Sequence, residues 1–192
     1  DSSATRLLVW AACGAGKTEV TFAAIQVALA RGLQVLFAIP RRDVVRELAE
    51  RLAAAFPETR LAIHYGGQPW LQEGPLVIAT THQTLRFYNR FGLAILDEVD
   101  AFPYRGSAIL HYAVRRATAQ HGKTVFMTAT PDRELLRKAD MSEITLVRIS
   151  ARHHGRPLPE PEIIQTRLPL PDEISRGSPF PGAFDQNTSA SG

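Results

Sequence analysis

From residue 6 to about residue 150, short, nearly unbroken apolar runs alternate with longer stretches whose apolar positions recur every three or four residues. The first pattern marks strands buried on both faces; the second marks amphipathic helices. The runs predict strands over 6–12, 33–39, 60–65, 76–80, 93–97, 124–128 and 144–149, with helices over 19–31, 42–56, 81–88, 107–120 and 132–139. The helix over 19–31 is apolar nearly all round (Val20, Phe22, Ile25, Val27, Leu29), which predicts packing on both sides, and Gly32 stands just past its end. Over 42–56, Val45, Leu48, Ala49, Leu52 and Ala53 share a face opposite charged residues, and Pro57 ends the run. Over 107–120 the inward positions are Ile109, Leu110, Ala113, Val114 and Ala117, and Pro131 opens the next helix at its first turn. Seven strands with helices between them predict an α/β fold, a mostly parallel sheet of about seven strands with helices on both faces. Ligands of such sheets sit beyond the carboxyl ends of the strands.

The pattern stops near residue 150. Residues 151–164, with Arg156-Pro157-Leu158-Pro159-Glu160-Pro161, read as an extended linker. Residues 165–192 are rich in Pro, Ser and Gly without sustained periodicity and read as a disordered tail. The expected organisation is one domain over 1–150, a linker over 151–164 and a tail over 165–192.

Composition narrows this little. A chain of 192 residues can bury a sizeable core. The 22 basic and 19 acidic residues leave +3, too weak a balance to argue for nucleic acid by itself. Cys13 is the single cysteine, which rules out an intramolecular disulfide and any multi-cysteine zinc site and suits a reducing compartment. No run of 18 apolar residues predicts a membrane span, and the first residues lack the layout of a secretion signal.

Two stretches carry chemistry. In the first, Trp10-Ala11-Ala12-Cys13-Gly14-Ala15-Gly16-Lys17-Thr18, an apolar strand runs through a glycine-rich turn into a helix. That is the context of a phosphate-binding loop, in which Cys13, Gly14, Ala15 and Gly16 let backbone N–H groups approach a polyphosphate at a helix N-terminus. Lys17 supplies a charge for the outer phosphates and the Thr18 hydroxyl a ligand for Mg²⁺. Ala11 stands where the commoner form of the pattern has its first glycine, so the match is to A-x-x-G-x-G-K-T. ATP and Mg²⁺ are the expected cofactors.

The second stretch, Leu93-Ala94-Ile95-Leu96-Asp97-Glu98-Val99-Asp100, ends an apolar strand in adjacent carboxylates. There Asp97 can hold Mg²⁺, chiefly through water, and Glu98 can take a proton from an attacking water. Behind it come Thr128-Ala129-Thr130, whose hydroxyls are within reach of a neighbouring strand tip, most naturally Asp100.

In this order, A-x-x-G-x-G-K-T, D-E-x-D and T-A-T resemble the first three motifs of helicase superfamily 2. The resemblance implies a RecA-like P-loop lobe. It implies catalytic roles for Lys17, Asp97 and Glu98, and a role for Asp100, Thr128 and Thr130 in coupling nucleotide state to a second site. It also points to nucleic-acid contacts. Arg41 and Arg42 stand at a strand-to-helix junction where a helix start could hold a phosphate, and Gly66, Gly67 and Thr81 stand where such motors touch a strand backbone.

A closer likeness is carried by three stretches together: the phosphate loop with Glu19, Asp97-Glu98-Val99-Asp100-Ala101-Phe102-Pro103-Tyr104, and Ala151-Arg152-His153-His154-Gly155-Arg156-Pro157-Leu158-Pro159-Glu160-Pro161. They resemble the ComFA late-competence ATPase family over residues 6 to 164, a family itself similar to primosomal helicases. The resemblance implies a DNA-dependent ATPase that drives single-stranded DNA into the cytosol during transformation. It implies a cytoplasmic location, including the inner face of the membrane, and other competence proteins as partners. The pair His153 and His154 has no cysteine or acidic neighbour at ligand spacing, so no zinc is expected there.

The family's cysteine-rich zinc-binding part, the helix ahead of the first strand and the second RecA-like lobe with its Q-x-x-G-R-x-x-R motif are not in this sequence. That second lobe normally supplies an arginine to phosphoryl transfer, so this chain is expected to bind nucleotide and hydrolyse it weakly. The alternatives are another superfamily 2 helicase or a restriction-type motor lobe, a nucleotide-binding module that regulates a partner without turnover, and a fragment of a decayed gene.

Overall fold

The structure is a computed structural model describing residues 5–11, 16–67, 72–101 and 103–149. The expected linker over 151–164, the tail over 165–192 and the pair His153 and His154 lie outside the described residues. In chain order the elements are β1 (Arg6–Ala11), α1 (Lys17–Ala30), β2 (Val35–Ile39), α2 (Arg42–Ala55), β3 (Leu61–His64), β4 (Leu76–Thr80), a 3₁₀ helix (Thr81–Arg86), β5 (Phe91–Leu96), α3 (Ala108–Ala117), β6 (Thr118–Thr128), α4 (Arg133–Asp140) and β7 (Thr145–Ile149).

The strands form one seven-stranded sheet in the order β3-β4-β2-β5-β6-β1-β7. Every pairing is parallel. All five residues of β2 are buried because both of its faces are covered. Val35, Phe37 and Ile39 join a core closed by Ile25 of α1 and by Val45, Leu48 and Leu52 of α2. Leu36 and Ala38 join the opposite core with Phe87, Phe91 and with Leu110 and Val114 of α3.

The glycine after α1 behaves as its position predicts. Gly32 takes φ +71°, its N–H donates to the Leu29 carbonyl at 2.9 Å, and Leu33 N–H donates to the Ala28 carbonyl at 3.0 Å. These two bonds close the last turn as a Schellman motif.

Four expectations are corrected. The first concerns α1, which packs on one side only: Thr21, Ile25 and Ala28 are buried, whereas Val20 is 48% and Val27 50% exposed. The helix lies on one sheet face, and no described element covers its outer face. Secondly, Ala53 of α2 and Ile109 of α3 point outward, Ile109 at 66% exposure. Thirdly, α3 stops at Ala117 and β6 begins at once, where helix to residue 120 was expected. Segment 89–91 captures this stretch: Asn89 and Arg90 N–H groups donate to the carbonyls of Arg116 and Ala117, and Gln120 N–H donates to Asn89 Oδ1. The register between β5 and β6 shifts at that point. Lastly, Pro131 precedes α4 instead of entering its first turn. Asp132 is the N-cap, accepting from Leu135 N–H at 2.8 Å.

Candidate functional site

Because β2, β5, β6 and β1 are neighbours and all parallel, their carboxyl ends share one edge of the sheet. The sequence motifs at those ends are thereby brought together, although more than a hundred residues of chain separate them.

At the β1 end, Cys13, Gly14 and Ala15 lie outside the described residues, as does Ala12. The junction that follows is described. Gly16 is the N-cap of α1 in the left-handed region (φ 70°, ψ 34°) and supplies no side-chain cap. The first helical bond runs from Val20 N–H to the Gly16 carbonyl at 3.1 Å. The N–H groups of Lys17 and Thr18 precede that first bond, and among the described residues no side chain caps this helix start, whose positive dipole end suits an anion. Lys17 and Thr18 are both half-buried. Glu19, one residue on, is paired with Arg51 of α2.

At the β5 end, Asp97 N–H continues the ladder to the Ala38 carbonyl at 3.0 Å, and Glu98 then breaks it with φ +52°, a strained conformation for a residue with a Cβ. Asp97 Oδ1 accepts the Glu98 N–H at 2.9 Å, and Val99 N–H crosses to the Met127 carbonyl of β6 at 3.3 Å. Burial pushes the Asp97 carboxyl above its ordinary value, against the hydrogen bond from Glu98 and the charge of Lys17. It has no ion pair among the described residues.

Asp100 is the opposite case. Its Oδ1 accepts the Thr128 hydroxyl and its Oδ2 the Thr130 hydroxyl, both at 2.5 Å. Burial pushes this carboxyl up too, but the two hydroxyl bonds outweigh it and hold it below the ordinary carboxylate range. Thr130 N–H closes the network on Thr128 Oγ1 at 3.0 Å.

The residues of the expected nucleic-acid surface are held differently from one another. Arg41 forms an exposed ion pair with Asp43 at 2.5 Å, which any phosphate would have to displace. Arg42 lies over the Tyr65 ring, 4.3 Å from its centroid, with Arg46 at 5.8 Å. Gly66 and Gly67 follow Tyr65 on the surface, Gly67 at φ +89°. Thr81 is buried at 1% exposure with its hydroxyl unpartnered among the described residues, so this hydroxyl does not reach the surface; His82 beside it is exposed. Tyr65 and Arg46 are absent from the sequence motifs. An aromatic directly before a glycine pair, facing a helix with arginines four apart, is the signal that marks them.

The donor set suits Mg²⁺ carried on a polyphosphate. Among the described residues no group of three or more His, Cys, Asp or Glu could hold a metal ion, which argues against a dedicated metal cage. Mg²⁺ binds through one or two protein oxygens and keeps phosphate oxygens and water for the rest. The half-buried Asp97 carboxylate, which has no ion pair among the described residues and feels the charge of Lys17, and the Thr18 hydroxyl in the first turn of α1 are donors of the kind that requirement names.

The fold and this edge define a P-loop motor domain of the RecA-like kind. The chain belongs to the DEAD/DEAH box helicase family, which matches residues 2–138. Within it, the chain is similar to competence protein ComFA of Bacillus subtilis (strain 168), 48% identical over 166 residues that cover 85% of this chain and 35% of that protein. It is 41% identical to competence protein ComFA of Streptococcus pneumoniae (strain ATCC BAA-255 / R6) over 82% of this chain and 36% of that protein. The chain thus spans about a third of the length of these curated relatives. Among solved structures, a hypothetical ATP-dependent RNA helicase from Sulfolobus tokodaii superposes with a TM-score of 0.61 at 23% identity, over 77% of this chain and 48% of that one, a likeness of fold. The chain is accordingly a helicase-type ATP-binding motor lobe. No helix among the described residues is long and apolar enough to cross a membrane.

Proposed function

We propose that this chain is the first motor lobe of an ATP-driven translocase that moves single-stranded DNA during DNA uptake in transformation. The lobe occupies residues 1–150, and the segment 151–164 leads toward a second RecA-like lobe that completes the machine. The observation that carries this reading is the shared strand edge, which bears a helix start without a side-chain cap among the described residues, a half-buried carboxylate and a hydroxyl-held carboxylate. The competence proteins among its relatives support the uptake role.

In this reading Cys13, Gly14, Ala15, Gly16 and Lys17 hold the phosphates of ATP, and Thr18 with Asp97 holds Mg²⁺. Bound Mg²⁺ supplies neutralisation of the charge on the phosphates. Glu98 takes a proton from the attacking water. Asp100, gripped by Thr128 and Thr130, links the nucleotide edge to DNA contacts at Arg41, Arg42, Gly66, Gly67 and the backbone at Thr81. The lobe works in the cytoplasm or at the inner face of the membrane, with other competence proteins as partners.

Calorimetry with Mg²⁺–ATP tests the nucleotide half, and Lys17→Ala should weaken binding at least about tenfold; equal affinity in the two proteins would sink it. Titration with single-stranded DNA across a salt series tests the other half. Each phosphate contact adds roughly 0.7 to the log–log slope, so Arg41→Ala combined with Arg42→Ala should flatten it by about 1.4. A parent chain whose DNA affinity ignores salt would refute the translocase assignment.

A further inference from the structure

Strands β1, β6 and β7 meet on one side chain that stands just ahead of the A-x-x-G-x-G-K-T pattern. β1 runs between β6 and β7, and Trp10 stands opposite Thr128 in one register and opposite Arg148 in the other. Its indole Nε1–H donates to the Ala129 carbonyl at 3.1 Å. The Arg148 guanidinium lies over its ring, 4.3 Å from the centroid. Ala129 separates the two threonines whose hydroxyls hold both oxygens of Asp100. Trp10 is also the penultimate residue of β1, six residues ahead of Gly16, the N-cap of α1.

We infer that Trp10 is a positioning residue that ties the phosphate loop to the Thr128-Ala129-Thr130 segment, so that a shift at the loop is passed to Asp100. This rests on the nucleotide-binding reading above. A carbonyl held by an indole fixes the peptide plane between Thr128 and Thr130, and that plane sets where both hydroxyls can reach. Phenylalanine would fill most of the same space but lack the donor, so the chemistry calls for tryptophan and not for an aromatic ring alone. The stacked Arg148 stabilises the ring from the β7 side, which keeps the donor aimed at β6. The indole donor reaches across to a residue 119 positions away in sequence, in the segment that holds Asp100.

Hydrogen exchange on the full 192-residue chain tests the link. Without ligand, Trp10→Phe should speed exchange of the 128–130 amides roughly three- to tenfold, the equilibrium worth of one hydrogen bond, and leave those of β2 and β4 unchanged. Unchanged exchange at 128–130 overturns the inference. With Mg²⁺–ATP, the parent chain should slow at 128–130, and Trp10→Phe should bind with affinity within about threefold yet show no such slowing; the same slowing in both proteins also overturns it. A chain that fails to bind Mg²⁺–ATP at all defeats the nucleotide reading, while the ligand-free comparison still decides the link. Should Trp10→Phe loosen the whole sheet, a second route leaves Trp10 intact. Trp70→Phe makes Trp10 the sole indole, and its N–H resonance should exchange slowly and shift on adding Mg²⁺–ATP. Exchange at the rate of an exposed indole, indifferent to Mg²⁺–ATP, rejects the inference.

Discussion

Asp97 and Asp100 are three residues apart, belong to one acidic cluster, and are driven in opposite directions by their surroundings. Desolvation is the largest influence on both; at Asp97 it prevails over the Glu98 N–H and the Lys17 charge, whereas at Asp100 the two hydroxyl donors together outweigh it. The second effect is measurable. The Asp100 carboxyl is depressed in the folded chain, so its contribution to stability is present above the ordinary carboxylate pKa and is lost as pH falls through its folded value. Thr128 is fully buried, and Thr128→Val removes one donor to the charge while keeping the shape. The cost at pH 7 should be about 1–3 kcal/mol in urea denaturation, shrinking as pH falls through the lowered Asp100 value and the carboxylate is protonated. A penalty that stays constant into acid would mean the threonine acts through packing. The positions of both carboxylates were legible in the sequence because each follows an apolar strand at its end. The left-handed backbone at Glu98 was not, since glutamate has no preference for positive φ and only the crossing of Val99 to β6 imposes it.

At the scale of elements, local signals predicted best where the cause is local. Gly32 closes α1, Pro40 follows the last residue of β2, and β4 matches its apolar run of 76–80 in full. Where tertiary partners decide, the pattern misled. The apolar composition of α1 suggested two packed faces, but the sheet offers it only one, and small alanines make an exposed face tolerable. Val27→Lys should therefore change stability by no more than about 0.5 kcal/mol, whereas Ile25→Ala, two residues away on the buried face, should cost about 2–5 kcal/mol by the same denaturation measurement. Similar costs for the two would mean that the outer face of α1 is covered. The join of α3 to β6 misled for a related reason. Helical spacing continues toward residue 120, yet backbone groups of Asn89 and Arg90 take the carbonyls at 116 and 117 and pull the following residues into the sheet.

For the whole molecule, strand order does the decisive work. Placing β1 and β5 on either side of β6 puts the end of β1 and the acidic stretch after β5 at flanking strand tips, with Thr128 at the end of β6 between them. In the proposed reading, the arginine that phosphoryl transfer in such motors draws from a second lobe would be supplied from outside this chain, which spans about a third of the length of its ComFA relatives. Alone, the chain should bind Mg²⁺–ATP and release phosphate slowly, and a protein carrying both lobes should turn over on the order of 10³- to 10⁵-fold faster, as single-turnover phosphate release would measure. Fast, DNA-stimulated turnover by this chain alone would sink that prediction.

What the sequence by itself determined is what neighbours within a few residues can encode: the alternation of buried strands with helices, a helix that follows the first strand through a glycine-rich stretch, carboxylates at a strand end, and hence an α/β motor lobe. The tertiary structure alone decided which strands are adjacent, which helix faces are covered, that Thr81 is buried, that Arg42 stacks on Tyr65, and that Trp10 holds Ala129 across 119 residues of chain. The physical reason is range. Period, glycine and cap act through backbone geometry over one or two turns, whereas pairing and burial are settled only when distant segments compete for the same surface.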